Sequence, residues 1–211
     1  MKSNKKFLDY FLLPKDYYAK LTDKSFWLYI GIAAVGFRDV LLAILGLLSS
    51  NEQFKDTFAL SLRSIAILLL SIIVIGFIDV LCFSYPAYDI IKLFKRRGEK
   101  NDSMSSEFTH SNILTKVMKS YIIINVIITP VDLVVYYIAR TASPSYLVYL
   151  GISVLAMLSY LWFNCAITRA LGVFFKIKSE AKLLVFLLVV LWNELLGTVL
   201  SFLINKVLLY L

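Results

Sequence analysis

The chain has 211 residues and a mass of 24.1 kDa, with 60% hydrophobic and 17% charged residues and a mean hydropathy of +0.79. Soluble domains carry about 45–50% apolar and about 25% charged residues, so this composition excludes a soluble fold with enough polar surface to cover its core. The 22 Lys and Arg against 14 Asp and Glu give +8, a sign that gains meaning only once the charges are placed along the chain.

Residues 1–25 form a cytoplasmic, interfacial segment ahead of the first apolar run. In FLDYFLLPKDYYAKL, Phe7, Tyr10, Phe11, Tyr17, Tyr18 and Leu21 recur near helical spacing, with Lys15, Asp16 and Lys20 opposite. The pattern predicts an amphipathic helix whose aromatics sit at headgroup level, with Pro14 in its first turn. Five stretches then follow in a transmembrane domain over 26–211. They lie at about 26–48, 64–85, 121–139, 146–168 and 183–204, each long enough to cross about 30 Å of hydrocarbon. Apolar residues occupy every helical face and period-2 alternation is absent, so the spans are helices rather than barrel strands. The expected fold class is all-α, a polytopic transmembrane bundle of five spans. No cleavable signal peptide is expected, because the first apolar run is too long for one.

The loops set the orientation. Lys2, Lys5, Lys6, Lys15, Lys20 and Lys24 precede the first span; Lys92, Lys95, Arg96, Arg97, Lys100, Lys116 and Lys119 fall in a basic loop over 86–120; Arg169, Lys176, Lys178 and Lys182 surround the fourth connection. The alternate connections and the C-terminal end hold only Lys55, Arg63, Arg140 and Lys206. A split of 17 to 4 puts the N-terminus in the cytoplasm and the C-terminus outside. After the second span YDIIKLFKRRG continues helically, and Gly98 is a natural stop. Lys92, Lys95, Arg96 and Arg97 are expected to attract anionic lipid headgroups, at about 1 kcal/mol per cation. No nucleic-acid module accompanies them. Residues 101–112 read as a flexible polar link.

Signals for catalysis are scarce. His110 is the only histidine, which rules out a histidine-rich metal site or a His-driven triad within one chain. Ser179–Lys182 matches S-x-x-K, yet Ser179 reads as the N-cap of the fifth helix. Cys82 and Cys165 read as small apolar residues. The expectation is a non-enzymatic protein with no metal and no cofactor.

The informative residues are the polar ones within the spans: Arg38, Asp39, Asp79, Asp132, Asn164, Arg169 and Glu194, with Asn193 beside Glu194. A charge at mid-membrane costs about 2.5–3.5 kcal/mol even on insertion scales, so these groups should face inward and pair or take up protons. The expected pairs are Arg38 with Glu194 or Asp39, and Arg169 with Asp79. Either the pairs hold the bundle together, or the acids form an ion, proton or solute path, as in a small transporter. A solvent-accessible polar cavity reaching Glu194 would favour transport, and a dry, paired bundle would favour packing. Pro130 is expected to kink the third span near Asp132. Ala33, Gly36, Ala166 and Ala170 mark close helix contacts. The hexapeptides Gly36–Leu41 and Gly76–Leu81 share GFxDVL. Because their helices run in opposite directions, the echo is read as a product of an apolar alphabet rather than a tandem duplication.

The Pro-led FLLPKDYYAKLTDKSFW entering the first span, the polar loop before a third span with Pro130, and the ITRALGVFFKIKSEAKLLVFLL turn together resemble the bacterial branch of the Yip family. Pro14, Pro130 and the Leu171-Gly172 to Lys182 turn carry the resemblance. It implies a five-pass protein with a cytoplasmic N-terminus in a bacterial plasma membrane, acting through helix packing and contacts with lipids, a membrane-protein partner or a second copy of itself.

Overall fold

The computed structural model describes residues 12–22, 26–50, 62–98, 110–141 and 145–208. Its elements are α1 (Lys15–Ala19), α2 (Phe26–Ser50), α3 (Leu62–Gly98), α4 (His110–Thr141), α5 (Tyr146–Phe174), a 3₁₀ turn (Ser179–Ala181) and α6 (Lys182–Leu208). No strand occurs among the described residues. Helices α2 to α6 are each long and apolar enough to cross a membrane. Their outer faces carry Leu69, Leu70, Ile73, Phe77, Leu150, Leu191 and Phe202 in the open, a dress that suits lipid and not water. The chain is therefore a five-helix, multi-pass membrane protein.

Helix α3 continues past its span to Gly98, as expected of YDIIKLFKRRG, whereas α4 is longer than the sequence suggests and starts at His110 rather than Tyr121. The reason is that the apolar rhythm continues: Ala87, Tyr88 and Ile91 on α3 and Leu114, Val117 and Met118 on α4 are all buried. The expected flexible link thus loses residues 110–112 to α4, and its remainder, 101–109, lies outside the described residues.

Both internal prolines sit within unbroken helices. Pro130 is passed by α4 without interruption. Pro86 in α3 has no N–H to offer the carbonyl four residues back, which is that of Cys82. Trp192 of α6 donates its indole N–H to that same carbonyl at 3.0 Å. The defect in one helix is therefore closed by a side chain of another.

The end of the bundle that gathers α1, the last turns of α3, the start of α4 and the 175–181 turn carries most of the cations and is packed shut. Here the structure corrects the interfacial reading of the first segment at Tyr18, while Phe7, Tyr10 and Phe11 lie outside the described residues. Only Lys15–Ala19 is helical among its described residues, Pro14 is its N-cap, and Tyr18 is fully buried. The Tyr18 hydroxyl donates to the carbonyls of Ala166 and Leu12, each at 3.4 Å, and its ring meets Phe174 edge-on at 6.4 Å. Burial pushes its phenol up from the ordinary value. Tyr88 and Phe175 pack beside it at 5.7 Å, and Lys119 donates to the carbonyl of Thr22. Helix α5 runs past Gly172 to Phe174, and the chain reverses at Lys176, whose φ is +50°. Ser179 lies in the 3₁₀ turn instead of capping α6.

Candidate functional site

The two GFxDVL segments, far apart in sequence, meet at one crossing. A Cβ on Gly36 would stand 1.9 Å from the Ile72 carbonyl oxygen, and one on Gly76 would stand 2.1 Å from the Ile32 carbonyl oxygen. The contact is reciprocal: each glycine admits the backbone four residues before the other. Opposite helix directions, the reason for setting the echo aside, are what bring its two copies face to face. Equivalent residues share equivalent fates, with Val40 and Val80 buried and Phe37 and Phe77 on the outer surface. Asp39 and Asp79, three residues past each glycine, are thereby brought to the interior from two neighbouring helices.

Beyond this crossing the bundle opens. A cavity of about 1140 Å³ is lined by α2 from Arg38 to Leu47, α4 from Tyr121 to Tyr136, α5 from Ala156 to Phe163 and α6 from Asn193 to Asn205, with Asp79 supplied by α3. Along α4 this lining runs roughly 20 Å at 1.5 Å per residue, toward the end of the bundle opposite Tyr18. Its floor is aromatic: Tyr121 stacks on Phe83 at 4.1 Å and meets Phe163 edge-on at 6.0 Å.

Both terminal nitrogens of Arg38 are engaged on one wall. Its Nη1 donates to Asp39 Oδ1 at 3.2 Å and to Asn125 Oδ1 at 2.9 Å, and its Nη2 donates to Asp132 Oδ2 at 2.7 Å. At the floor the Tyr121 hydroxyl donates to the Asp79 carboxylate, with both oxygens at 3.0 Å. On the opposite wall Glu194 is exposed to the cavity and accepts from the Tyr160 hydroxyl at 3.1 Å. The expected Arg38–Asp39 pair is present. Two other expected pairings are corrected. Arg38 reaches Asp132 instead of Glu194, because Asp132 comes in on the adjacent α4 while Glu194 stands across the cavity. Asp79 is met by Tyr121 instead of Arg169, which lies nearer the closed end, close enough to Tyr18 to act on its phenol.

Helices α4 and α5 deliver their phenols in the same way. Asn125 Nδ2 donates to the Tyr121 carbonyl at 3.0 Å and Thr129 Oγ1 to the Asn125 carbonyl at 2.7 Å; Asn164 and Thr168 repeat this with Tyr160 at 2.9 and 2.8 Å. The spacing Y-x₃-N-x₃-T thus recurs at 121–129 and 160–168, each time with the tyrosine hydroxyl on an acid of a neighbouring helix. Of the residues singled out from the sequence, Arg38, Asp39, Asp79, Asp132 and Glu194 line the cavity, and Asn164 and Arg169 do not. Sequence reading missed Tyr121, Asn125 and Tyr160, and also Thr198, Ser201 and Asn205. The last three follow Glu194 at intervals of 4, 7 and 11, a polar stripe legible in the helical repeat. Lys92 is exposed at the basic end with its ammonium 5.7 Å from the Tyr88 ring centre; the side chains of Lys95, Arg96 and Arg97 lie outside the described residues. No group of three metal-ligating side chains comes together among the described residues.

Comparison of the chain with family models, curated proteins and solved structures finds no match. The functional reading therefore rests on the geometry of the chamber.

Proposed function

We propose that this membrane protein handles a solute: its chamber admits a small molecule from one side of the membrane and presents it to the carboxylates at the bundle centre. The observation that carries the reading is the cavity of about 1140 Å³ reaching Glu194, with Asp39, Asp79 and Asp132 on its walls. A protein that acted by packing alone would gain nothing from such a space. Unfilled volume costs dispersion contacts, and acids held open in a bundle cost more than a dry, paired core. The chemistry is binding and passage, with no covalent step. With the closed, cation-rich end in the cytoplasm, as the charge split requires, the chamber opens outward. In that arrangement Lys92, Lys95, Arg96 and Arg97 lie at the anionic leaflet, and a bacterial plasma membrane is the proposed setting.

Accessibility tests it. Thr198→Cys and Ser201→Cys, each in a background with Cys82→Ala and Cys165→Ala, should react with a membrane-impermeant maleimide in intact cells. Ser84→Cys, on the buried face of α3, should not. Absence of labelling at both chamber positions would overturn the reading in favour of a packing protein of the Yip type, whose five-pass plan this chain's helix count matches.

A further inference from the structure

We infer that the chamber takes an organic cation. The inference rests on the reading of the cavity as a solute site and adds its chemical class.

Three properties of the lining decide between classes. Among the described residues, the only arginine that lines the cavity is committed to Asp39, Asp132 and Asn125. An anion would have to displace two carboxylates from it against like-charge repulsion. Four acids line the cavity against that one arginine, so the interior carries excess negative charge whenever Glu194 is ionised. Glu194 stands alone on its wall. Its one described partner is a phenol, and its side chain is open to the space in front of it.

Size then separates an organic cation from a metal ion. A hard metal ion needs several oxygens converging within about 2.6 Å, and no three metal-ligating groups converge among the described residues. Pockets for drug-sized ligands run to about 300–1,000 Å³, and the cavity of about 1140 Å³ is slightly larger than that range. The walls fit the same class. Tyr136 and Tyr160 present aromatic surface between the carboxylates, above a floor closed by the buried rings of Tyr121 and Phe163. A cation with apolar substituents is attracted both by ring faces and by an acid, while its substituents leave water. The site is thus assigned as Glu194 for the charge, with Tyr136 and Tyr160 for the apolar body.

A matched pair of probes tests this. Tetraphenylphosphonium and tetraphenylborate have the same shape and opposite charge, and their binding to the purified full chain can be followed by equilibrium dialysis. The expected result is saturable binding of the phosphonium alone, weakened about tenfold or more in Glu194→Gln, as loss of one close charge contact does. Ser201→Lys, which places an ammonium on the same wall, should abolish it; this second variant covers the case in which Glu194→Gln does not fold. Equal or stronger binding of tetraphenylborate, or binding unchanged in both variants, would overturn the inference. If neither probe binds while Ser201→Cys is labelled, the cation class falls and the solute chamber stands. If neither binds and no labelling occurs, both fall.

Discussion

The two halves of the bundle are built from the same five helices and treat polar groups in opposite ways. At the basic end, side chains fill the interior among the described residues: Tyr18, Phe174, Phe175 and Tyr88 pack between α1, α3 and α5, and a phenol is folded in with its hydroxyl on backbone carbonyls. At the other end the helices surround open space, where Tyr121 and Tyr160 donate to carboxylates and Tyr136 to the Leu45 carbonyl at 2.8 Å. The dividing level is the Gly36–Gly76 crossing and the Phe83–Tyr121–Phe163 floor. The lesson is that hydropathy alone does not separate a sealed half from an open one. What separates them is which helix faces carry Asp, Glu, Ser, Thr and Asn.

The largest effect should come from the shared level. Gly36→Leu would drive a side chain into the Ile72 carbonyl, where even a Cβ has only 1.9 Å. Backbone cannot yield as a flexible side chain can, so the expected outcome is loss of the monodisperse peak in size-exclusion chromatography. Gly46→Leu, whose Cβ would meet nothing, should elute normally. Similar profiles for the two would remove the crossing as the fulcrum of the comparison.

Next in size is the contrast between two charges of the open half. Arg38→Gln leaves the partly buried Asp39 and Asp132 without their cation, a loss below the about 3–5 kcal/mol of a fully buried pair. A drop of several degrees in the melting temperature in detergent is expected. Glu194→Gln, on an exposed residue that keeps its Tyr160 contact, should shift the same curve little. A large shift for Glu194→Gln would make it the strut that sequence reading alone suggests, and the wall would cease to be a site.

The closed half is probed by Tyr18. Truncation to Ala empties a fully buried ring site, and losses of about 3 kcal/mol are usual for large-to-small changes in a core. Tyr18→Phe keeps the ring and gives up two long hydrogen bonds, for about 1 kcal/mol. There is a pH signature as well. A phenol raised by burial contributes stability that is complete below its ordinary value of about 10 and is lost as pH rises above it. Tyr18→Phe should flatten that alkaline decline, and an identical pH profile would place the phenol at the surface.

The smallest effect belongs to the turn. Lys176 adopts φ of +50° in an exposed position, a left-handed conformation that costs a non-glycine residue about 1 kcal/mol. Lys176→Gly should raise thermal stability slightly, and a decrease would mean that the side chain has a packing role.

Much of this plan is legible in the sequence, for a physical reason: a hydrocarbon slab imposes length and polarity on each span separately, so local reading suffices. Arg38, Asp39, Asp79, Asp132 and Glu194 stand out because charge is expensive there. Their partners do not stand out. Tyr121 and Tyr160 look like interfacial or core aromatics, Asn125 resembles a chance polar residue, and only packing decides which acid each hydroxyl meets. The early start of α4 is hidden by Lys116 and Lys119, which lower the window hydropathy although Leu114, Val117 and Met118 are buried. Tyr18 failed for the opposite reason: an amphipathic stretch predicts a surface, and here its ring is captured by α5.

The indole of Trp192 has a consequence for synthesis. The chain emerges from its N-terminus, so α3 enters the bilayer with the Cys82 carbonyl still lacking a donor, about a hundred residues before the group that will supply it exists. A carbonyl left in hydrocarbon costs several kcal/mol, so α3 cannot reach its final state on its own. A nascent chain halted at residue 175 would hold four spans with α3 unmended, and would be the natural substrate for membrane quality control. Helix α6, made after the other four spans, is therefore also the repair of the second one inserted.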